Sequence, residues 1–414
     1  MSKLAIKISH CRLCDSKRLK TVIDLGNSPP PNTLLTKRQL TKYEPSFPLK
    51  VNYCLSCGQV QLSHVVSPEL MFQNYPYVSS TSSVMVNHFK NYAKSTFDKL
   101  KLNKNDFVVE IGSNDGILLK FYKNLGAKIL GIDPAKNIAA QANKAGIKTL
   151  PLFFNSRLAK KIVKKYEPAK LILANNVFAH INDLNDVVKG IKMLLDKDGV
   201  FIIEFPYLVD VVDNNVFDSI YHEHLSYLAV GPLKKFFEKN GMEIFNCLKT
   251  PVQGGSIRIF VKKRHGKYPI SKSVTKFLDL EKKKKINLLG TYTKFFKRIK
   301  ETKKDLNYIL EKLRKENKRI AGYGAPGRST TLLNYFDINP STIEYIVDDN
   351  PNKQGLFTPG THIPIYNPAK IKKLKPDYIV ILSWNFAEPI ITKLSDFKKR
   401  GGRFVIPIPK PRLI

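Results

Sequence analysis

The densest chemistry in the chain is the segment Ile220-Tyr221-His222-Glu223-His224-Leu225-Ser226-Tyr227. Two imidazoles flanking a carboxylate can move protons, because a histidine oriented by a carboxylate accepts a proton near neutral pH. The pair could instead share a metal ion, since residues at i and i+2 lie on one face of a strand, though poorly together on a helix. No third ligand follows nearby, and a purely structural polar corner is the other alternative. A proton-transfer cluster is the expected reading, with His180 as a further histidine near this part of the chain.

A second constellation is sulfur. Cys11 and Cys14 form one C-x-x-C, and Cys54 and Cys57 form another. Each spacing turns two sulfurs toward one ion, and four thiolates close a tetrahedral zinc site with no position open for chemistry. With five cysteines in all and no secretory leader, disulfides are not expected. Cys247, alone in apolar surroundings, reads as core. Between the pairs runs Gly26-Asn27-Ser28-Pro29-Pro30-Pro31-Asn32, too polar for a core but suited to covering a neighbouring pocket.

A third is a glycine turn. Asp106–Ile111 reads as a buried strand running into Gly112-Ser113-Asn114-Asp115-Gly116, with a helix beginning at Ile117. Strand, glycine turn and helix is the layout of dinucleotide-type sites, where glycine lets the backbone approach a ligand. The loop is acidic at Glu110 and Asp115, which suits a sulfonium and an ammonium better than a pyrophosphate. The next strand, Lys128–Ile132, ends in Asp133, twenty-three positions after Glu110. That is close to the roughly 20 residues expected for a ribose-binding acid. S-adenosylmethionine is therefore expected over a nicotinamide, held by Glu110, Gly112, Asn114, Asp115, Gly116, Asp133 and Asn175. Further strands at Leu171–Asn175 and Gly199–Phe205 imply a doubly wound parallel sheet, with ligands beyond its carboxyl ends.

The positioning elements extend beyond this sheet. Residues 271–317 are rich in Lys, Glu and Leu at helical spacing and read as one or two long amphipathic helices. Gly322-Tyr323-Gly324-Ala325-Pro326-Gly327 is then a second glycine turn, followed by a strand at Ile343–Val347. Pro326 inside it, and no recognisable continuation of a dinucleotide domain, argue against NAD. The turn's amides with Arg328 would hold another anion, or the unit is a packing scaffold. The expected organisation is α/β throughout: a zinc-binding module over 1–72, a class I methyltransferase sheet over 73–265, and a helical linker with a Rossmann-like domain over 266–414.

Composition sets bounds on partners. Of 414 residues, 43% are hydrophobic, which fits a globular chain and not a disordered one. No apolar run approaches a membrane span and the first residues lack a signal-peptide core, so a soluble, cytoplasmic protein, expected to be monomeric, follows. The net charge of +35 could announce a nucleic-acid partner. The lysines are scattered, however, so general affinity for anions is the preferred reading.

Taken in order, CRLC with CLSC, Asn74-Tyr75-Pro76-Tyr77 before Ser79-Ser80, EIGSNDG, YHEHLSY, Gly254-Gly255-Ser256, GYGAPGRSTTLLNY and VDDNPNKQG with PGTHIPI resemble the sugar C-methyltransferases acting on nucleotide-linked 4-ketosugars. The likeness spans nearly the whole chain. One departure is Gly327-Arg328-Ser329-Thr330, where many relatives carry a small residue followed by Lys-Gly-Asn, which puts the anion contacts there in question. The resemblance implies methylation of C3 of a dTDP-4-keto-6-deoxysugar: a base removes the proton next to the ketone, and the enolate takes the methyl group. It implies His224 as that base, Glu223 and Tyr221 as its support, and His180, Tyr75 and Tyr77 as sugar-side residues. The zinc would be structural. A tRNA or rRNA methyltransferase, or an O- or N-methyltransferase of a related sugar nucleotide, is the alternative.

Overall fold

The computed structural model describes residues 4–73 and 75–414. Asn74, which opens the Asn-Tyr-Pro-Tyr motif, lies outside the described residues. The amino-terminal module is a four-stranded antiparallel sheet in the order Ser226–Tyr227, Val60–Leu62, Phe47–Cys54, Leu19–Ser28. Its first strand comes from the end of the YHEHLSY segment. That segment is therefore stitched into the module by backbone hydrogen bonds, although it belongs to the middle of the chain.

The central sheet has seven strands in the order Met242–Thr250, Ser256–Lys263, Leu195–Pro206, Ala169–Asn175, Phe107–Ile111, Lys128–Ile132, Thr149–Leu150. The last five are parallel and the first two antiparallel additions. Val108, Val109, Leu171, Ile172, Leu173 and Phe201 are all buried, as expected for strands covered on both faces. The strand order reverses between Phe107–Ile111 and Ala169–Asn175, which opens a crevice at their carboxyl ends.

Two helices, Lys272–Lys283 and Leu289–Lys315, lead to the last domain. The longer one buries Tyr292, Phe295, Ile299, Leu306, Leu310 and Leu313 as an amphipathic stripe. Here the sequence reading needs a correction, because the dinucleotide-type domain does continue. Six strands run Ile365–Tyr366, Tyr345–Val347, Ile320–Tyr323, Tyr378–Ile381, Arg403–Ile406, Arg412–Leu413, which is 3-2-1-4-5-6 in chain order. The strands of this continuation are only two to four residues long. Such runs carry little periodic signal. One continuous apolar cluster reaches from Ile8 to Ile408 and joins all three units.

Among the described residues no helix is long and apolar enough to cross a membrane.

Candidate active site

Both parallel sheets point their strand ends at one cavity of about 610 Å³, which the amino-terminal module closes on a third side. On the donor side, Phe107–Ile111 brings buried Glu110 to the rim, where Oε1 accepts from Asn175 Nδ2 at 3.4 Å. Burial holds the Glu110 carboxyl well above the usual carboxylate range, and its Oε2 makes no hydrogen bond among the described residues. An acid in that state is ready for a cationic partner, which would return it to the ionised form. The turn that follows needs glycine. Gly112 has φ +68°, and a Cβ there would stand 2.7 Å from Val177 Cγ2. Gly116 has φ +78°, with Ile147 in the way of any side chain.

Asp133 lines the same cavity and accepts from the amides of Asn114 at 2.8 Å and Ala135 at 2.9 Å. Each carboxylate oxygen keeps a further lone pair for a ribose hydroxyl. Asn114 and Asp115 present their side chains elsewhere. Asn114 Oδ1 accepts from Ser79 N at 2.8 Å, its Nδ2 donates to Tyr77 O at 3.1 Å, and Asp115 Oδ2 accepts from Ser80 N at 3.2 Å. The side chains of the turn thus hold residues 77–80, while Gly112, Asn114 and Ile117 line the cavity.

On the opposite wall, Tyr221, Glu223 and His224 line the cavity together with His180. His224 Nδ1 lies 2.7 Å from the carbonyl of Ser219, which can only accept, so Nδ1 carries the proton. Nε2 then presents its lone pair and accepts the Tyr221 hydroxyl at 2.8 Å. Burial, then the nearby His180 ring, hold the His224 pKa well below the usual imidazole range, so the ring is neutral at pH 7. His180 stacks on Phe72 with ring centres 5.8 Å apart and stands 5.2 Å from His224; burial lowers its pKa to about 4. Glu223 accepts from Tyr75 Oη at 2.7 Å and Asn32 Nδ2 at 2.8 Å, yet burial raises its pKa to about 7. The shared-metal alternative finds no support: His222 packs edge-on against Phe47 of the amino-terminal module, away from His224's partners.

The carboxyl-terminal domain contributes Arg328 and Lys353 to the cavity. Arg328 packs against the Trp384 ring, 5.7 Å from its centre, and Trp384 Nε1 donates to Asp218 Oδ2 at 2.7 Å. Arg328 Nη1 is buried, makes no hydrogen bond among the described residues, and stands 3.9 Å from Asp218. Asp348, at the position of a ribose-binding acid, is already engaged. It accepts from the glycine-turn amide of Ala325 at 2.7 Å and faces Lys353 Nζ at 3.4 Å. The same pairing of a strand-end acid with a glycine-turn amide occurs at Asp133 and Asn114 on the other sheet.

The four cysteine sulfurs of the amino-terminal module lie within 4.8 Å of one another, with pairs at 3.6 and 3.7 Å. A tetrahedral ion at about 2.3 Å from each sulfur sets edges of about 3.8 Å, so the residues fit zinc. Cys247 is a buried residue of the apolar core. Ser219, Asp218 and, individually, Asn32 and Lys353 were not assigned roles from the sequence. Asn32 lay in the Pro-rich loop expected to cover a pocket, and Lys353 in the motif VDDNPNKQG.

Comparison with known proteins accords with this architecture. The family described as "Putative zinc binding domain" matches residues 11–72, "Methyltransferase domain" matches 86–246, and "C-methyltransferase C-terminal domain" matches 251–409. The C-methyltransferase NovU of Streptomyces niveus is 34% identical over 414 residues, covering 100% of this chain and 99% of that protein. A ubiquinone biosynthesis O-methyltransferase of Rhodopseudomonas palustris is 29% identical over 23% of this chain and 38% of its own. Among solved structures, an S-adenosylmethionine-dependent methyltransferase from Clostridium acetobutylicum aligns at TM-score 0.35 and 13% identity over 44% of this chain and 92% of that one. Identity of 34% to NovU over nearly the full length of both proteins, with the three domain matches following one another along this chain, makes it a member of the C-methyltransferase family, an S-adenosylmethionine-dependent enzyme with a structural zinc site.

Proposed function

We propose that the enzyme methylates C3 of a dTDP-linked 4-keto-6-deoxysugar, with His224 as the base that forms the enolate. The carrying observation is the tautomer of His224: Ser219 fixes the proton on Nδ1 and leaves Nε2 as a neutral acceptor facing the cavity. The C–H beside a ketone is acidic enough for an imidazole to remove. When the acceptor's proton replaces the Tyr221 hydroxyl at Nε2, that hydroxyl becomes free to donate to the developing enolate oxygen. The imidazolium and enolate then form an ion pair in a buried site, which offsets the cost of charging His224 there. Burial keeps the carbanion from water. S-adenosylmethionine supplies the electrophilic methyl group.

Glu223, held by Tyr75 and Asn32, is placed to accept a sugar hydroxyl, with His180 and Tyr77 completing the sugar-side wall. Arg328, whose Nη1 has no hydrogen-bond partner among the described residues, offers a cation to the diphosphate from the carboxyl-terminal side. The departure at Gly327-Arg328 thus leaves a cation in that wall. Incubation with S-adenosylmethionine and a panel of dTDP-4-ketosugars, with the product's methyl located by NMR, tests the reading. A new methyl on C3 is expected. A methyl on oxygen, nitrogen or RNA would overturn it.

A further inference from the structure

Residues 75–80 cross the cavity between donor and acceptor walls, and their hydrogen bonds divide unequally between the two. On the donor side, Asn137 grips the backbone of Tyr75 at both ends of its amide: Nδ2 donates to Tyr75 O at 2.9 Å, and Oδ1 accepts from Tyr75 N at 3.3 Å. Asn137 sits in the first turn of the helix Lys136–Lys144, four positions after Asp133. Asn114 and Asp115 hold Tyr77, Ser79 and Ser80 from the glycine turn, and the Asn114 amide itself donates to Asp133. On the acceptor side, among the described residues, the bond is Tyr75 Oη to Glu223 Oε2 at 2.7 Å. The segment is therefore anchored by several hydrogen bonds to the loops on the donor side, and among the described residues its hydrogen bond to the acceptor wall is that of the Tyr75 hydroxyl.

We propose that residues 75–80 are a strap that couples the two sites, and that Asn137 is a positioning residue that sets Tyr75 on Glu223 when the cofactor site is filled. A ligand engaging Asp133 and the glycine turn stiffens the anchors. Less ordering then remains for the acceptor to complete, so acceptor affinity rises with cofactor occupancy. The coupling is reciprocal, and its size in comparable systems is roughly 5- to 150-fold. The identity of the acceptor rests on the reading above; the strap's response to cofactor does not.

The test has two arms. Hydrogen exchange of residues 75–80 is followed with and without S-adenosylhomocysteine, in the wild type and in Asn137→Ala. Slower exchange in the wild type on adding ligand, largely lost in the variant at saturating ligand, is expected. Unchanged exchange in the wild type overturns the strap, whatever the acceptor proves to be. Titration of a dTDP-4-keto-6-deoxysugar with and without S-adenosylhomocysteine then reads the coupling. Affinity should rise several-fold in the wild type and little in Asn137→Ala, whose KM for acceptor rises while kcat and unfolding temperature hold. Equal affinities in the wild type overturn the coupling. Failure of the sugar to bind under either condition counts against the acceptor assignment, and the exchange arm still decides the strap.

Discussion

The backbone carbonyl of Ser219 accepts the Nδ1 proton of His224 at 2.7 Å, and this one contact decides which ring nitrogen carries the proton and which is left as an acceptor. The carbonyl is held in turn from the carboxyl-terminal domain: Trp384 bonds the neighbouring Asp218, and Thr331 Oγ1 donates to Ile220 O at 2.6 Å. His224→Ala is expected to slow methyl transfer by roughly 10²–10⁴-fold, the usual contribution of a general base. S-adenosylmethionine affinity should stay near that of the wild type. Single-turnover transfer combined with calorimetric titration checks both, and wild-type turnover in the variant would remove His224 from the mechanism.

Glu223 makes stability depend on pH in a definite direction. Its pKa is raised to about 7 by burial, against the ordinary carboxyl value of 4.5, so the folded state keeps a proton that the unfolded state has released. Stability from this group is present below pH 4.5 and is lost as pH rises toward about 7. Glu223→Gln should therefore narrow the fall in unfolding temperature between pH 5 and pH 8. An unchanged difference between those two conditions would show that Glu223 does not titrate there.

Asp133 is expected to hold ribose hydroxyls while bracing the turn through Asn114. Asp133→Ala should weaken S-adenosylmethionine binding by roughly 10- to 100-fold, as for loss of hydrogen bonds to a charged group. A dissociation constant equal to that of the wild type would exclude the ribose assignment.

Zinc lies outside the cavity, yet its loss should reach the chemistry. Asn32 hangs from the same module as Cys11, Cys14, Cys54 and Cys57, and it holds Glu223. Cys54→Ser is predicted to lose metal, module folding and activity together, because metal binding and folding are one equilibrium in such sites. Metal content by atomic absorption, far-ultraviolet dichroism and turnover measure the three. A metal-free variant that stays folded and active would contradict the prediction.

Arg328 should act on binding more than on turnover. Arg328→Ala is expected to raise KM for a dTDP-sugar by roughly tenfold or more, the scale of a lost charge-assisted hydrogen bond. The salt dependence of KM should flatten as well. An unaltered KM would return the residue to a purely packing role.

What the sequence disclosed follows from how local each signal is. Phe107–Ile111 with its glycine turn, and Lys128–Ile132 ending in Asp133, are contiguous and could be read directly. The paired C-x-x-C motifs were equally plain, because short spacing alone turns two sulfurs together. The division of labour inside YHEHLSY was not readable. His222 and His224 look equivalent in a string, and only the pairing of Ser226–Tyr227 with Val60–Leu62 sends one to the amino-terminal module and the other to the cavity. Asn32 and Tyr75 meet on Glu223 across separations of 191 and 148 residues, and Asn137 grips Tyr75 across 62. Such meetings are set by tertiary packing, which leaves no trace in local spacing.

The most direct test of the account is deuterium exchange at C3 of a dTDP-4-keto-6-deoxysugar in heavy water, with S-adenosylhomocysteine in place of the donor. The wild type should wash deuterium into C3 without methyl transfer, and His224→Ala should do so roughly 10²–10⁴-fold more slowly. Exchange at an equal rate in both proteins, or none in a wild-type preparation that methylates the same sugar once S-adenosylmethionine is supplied, would contradict proton removal from carbon by His224.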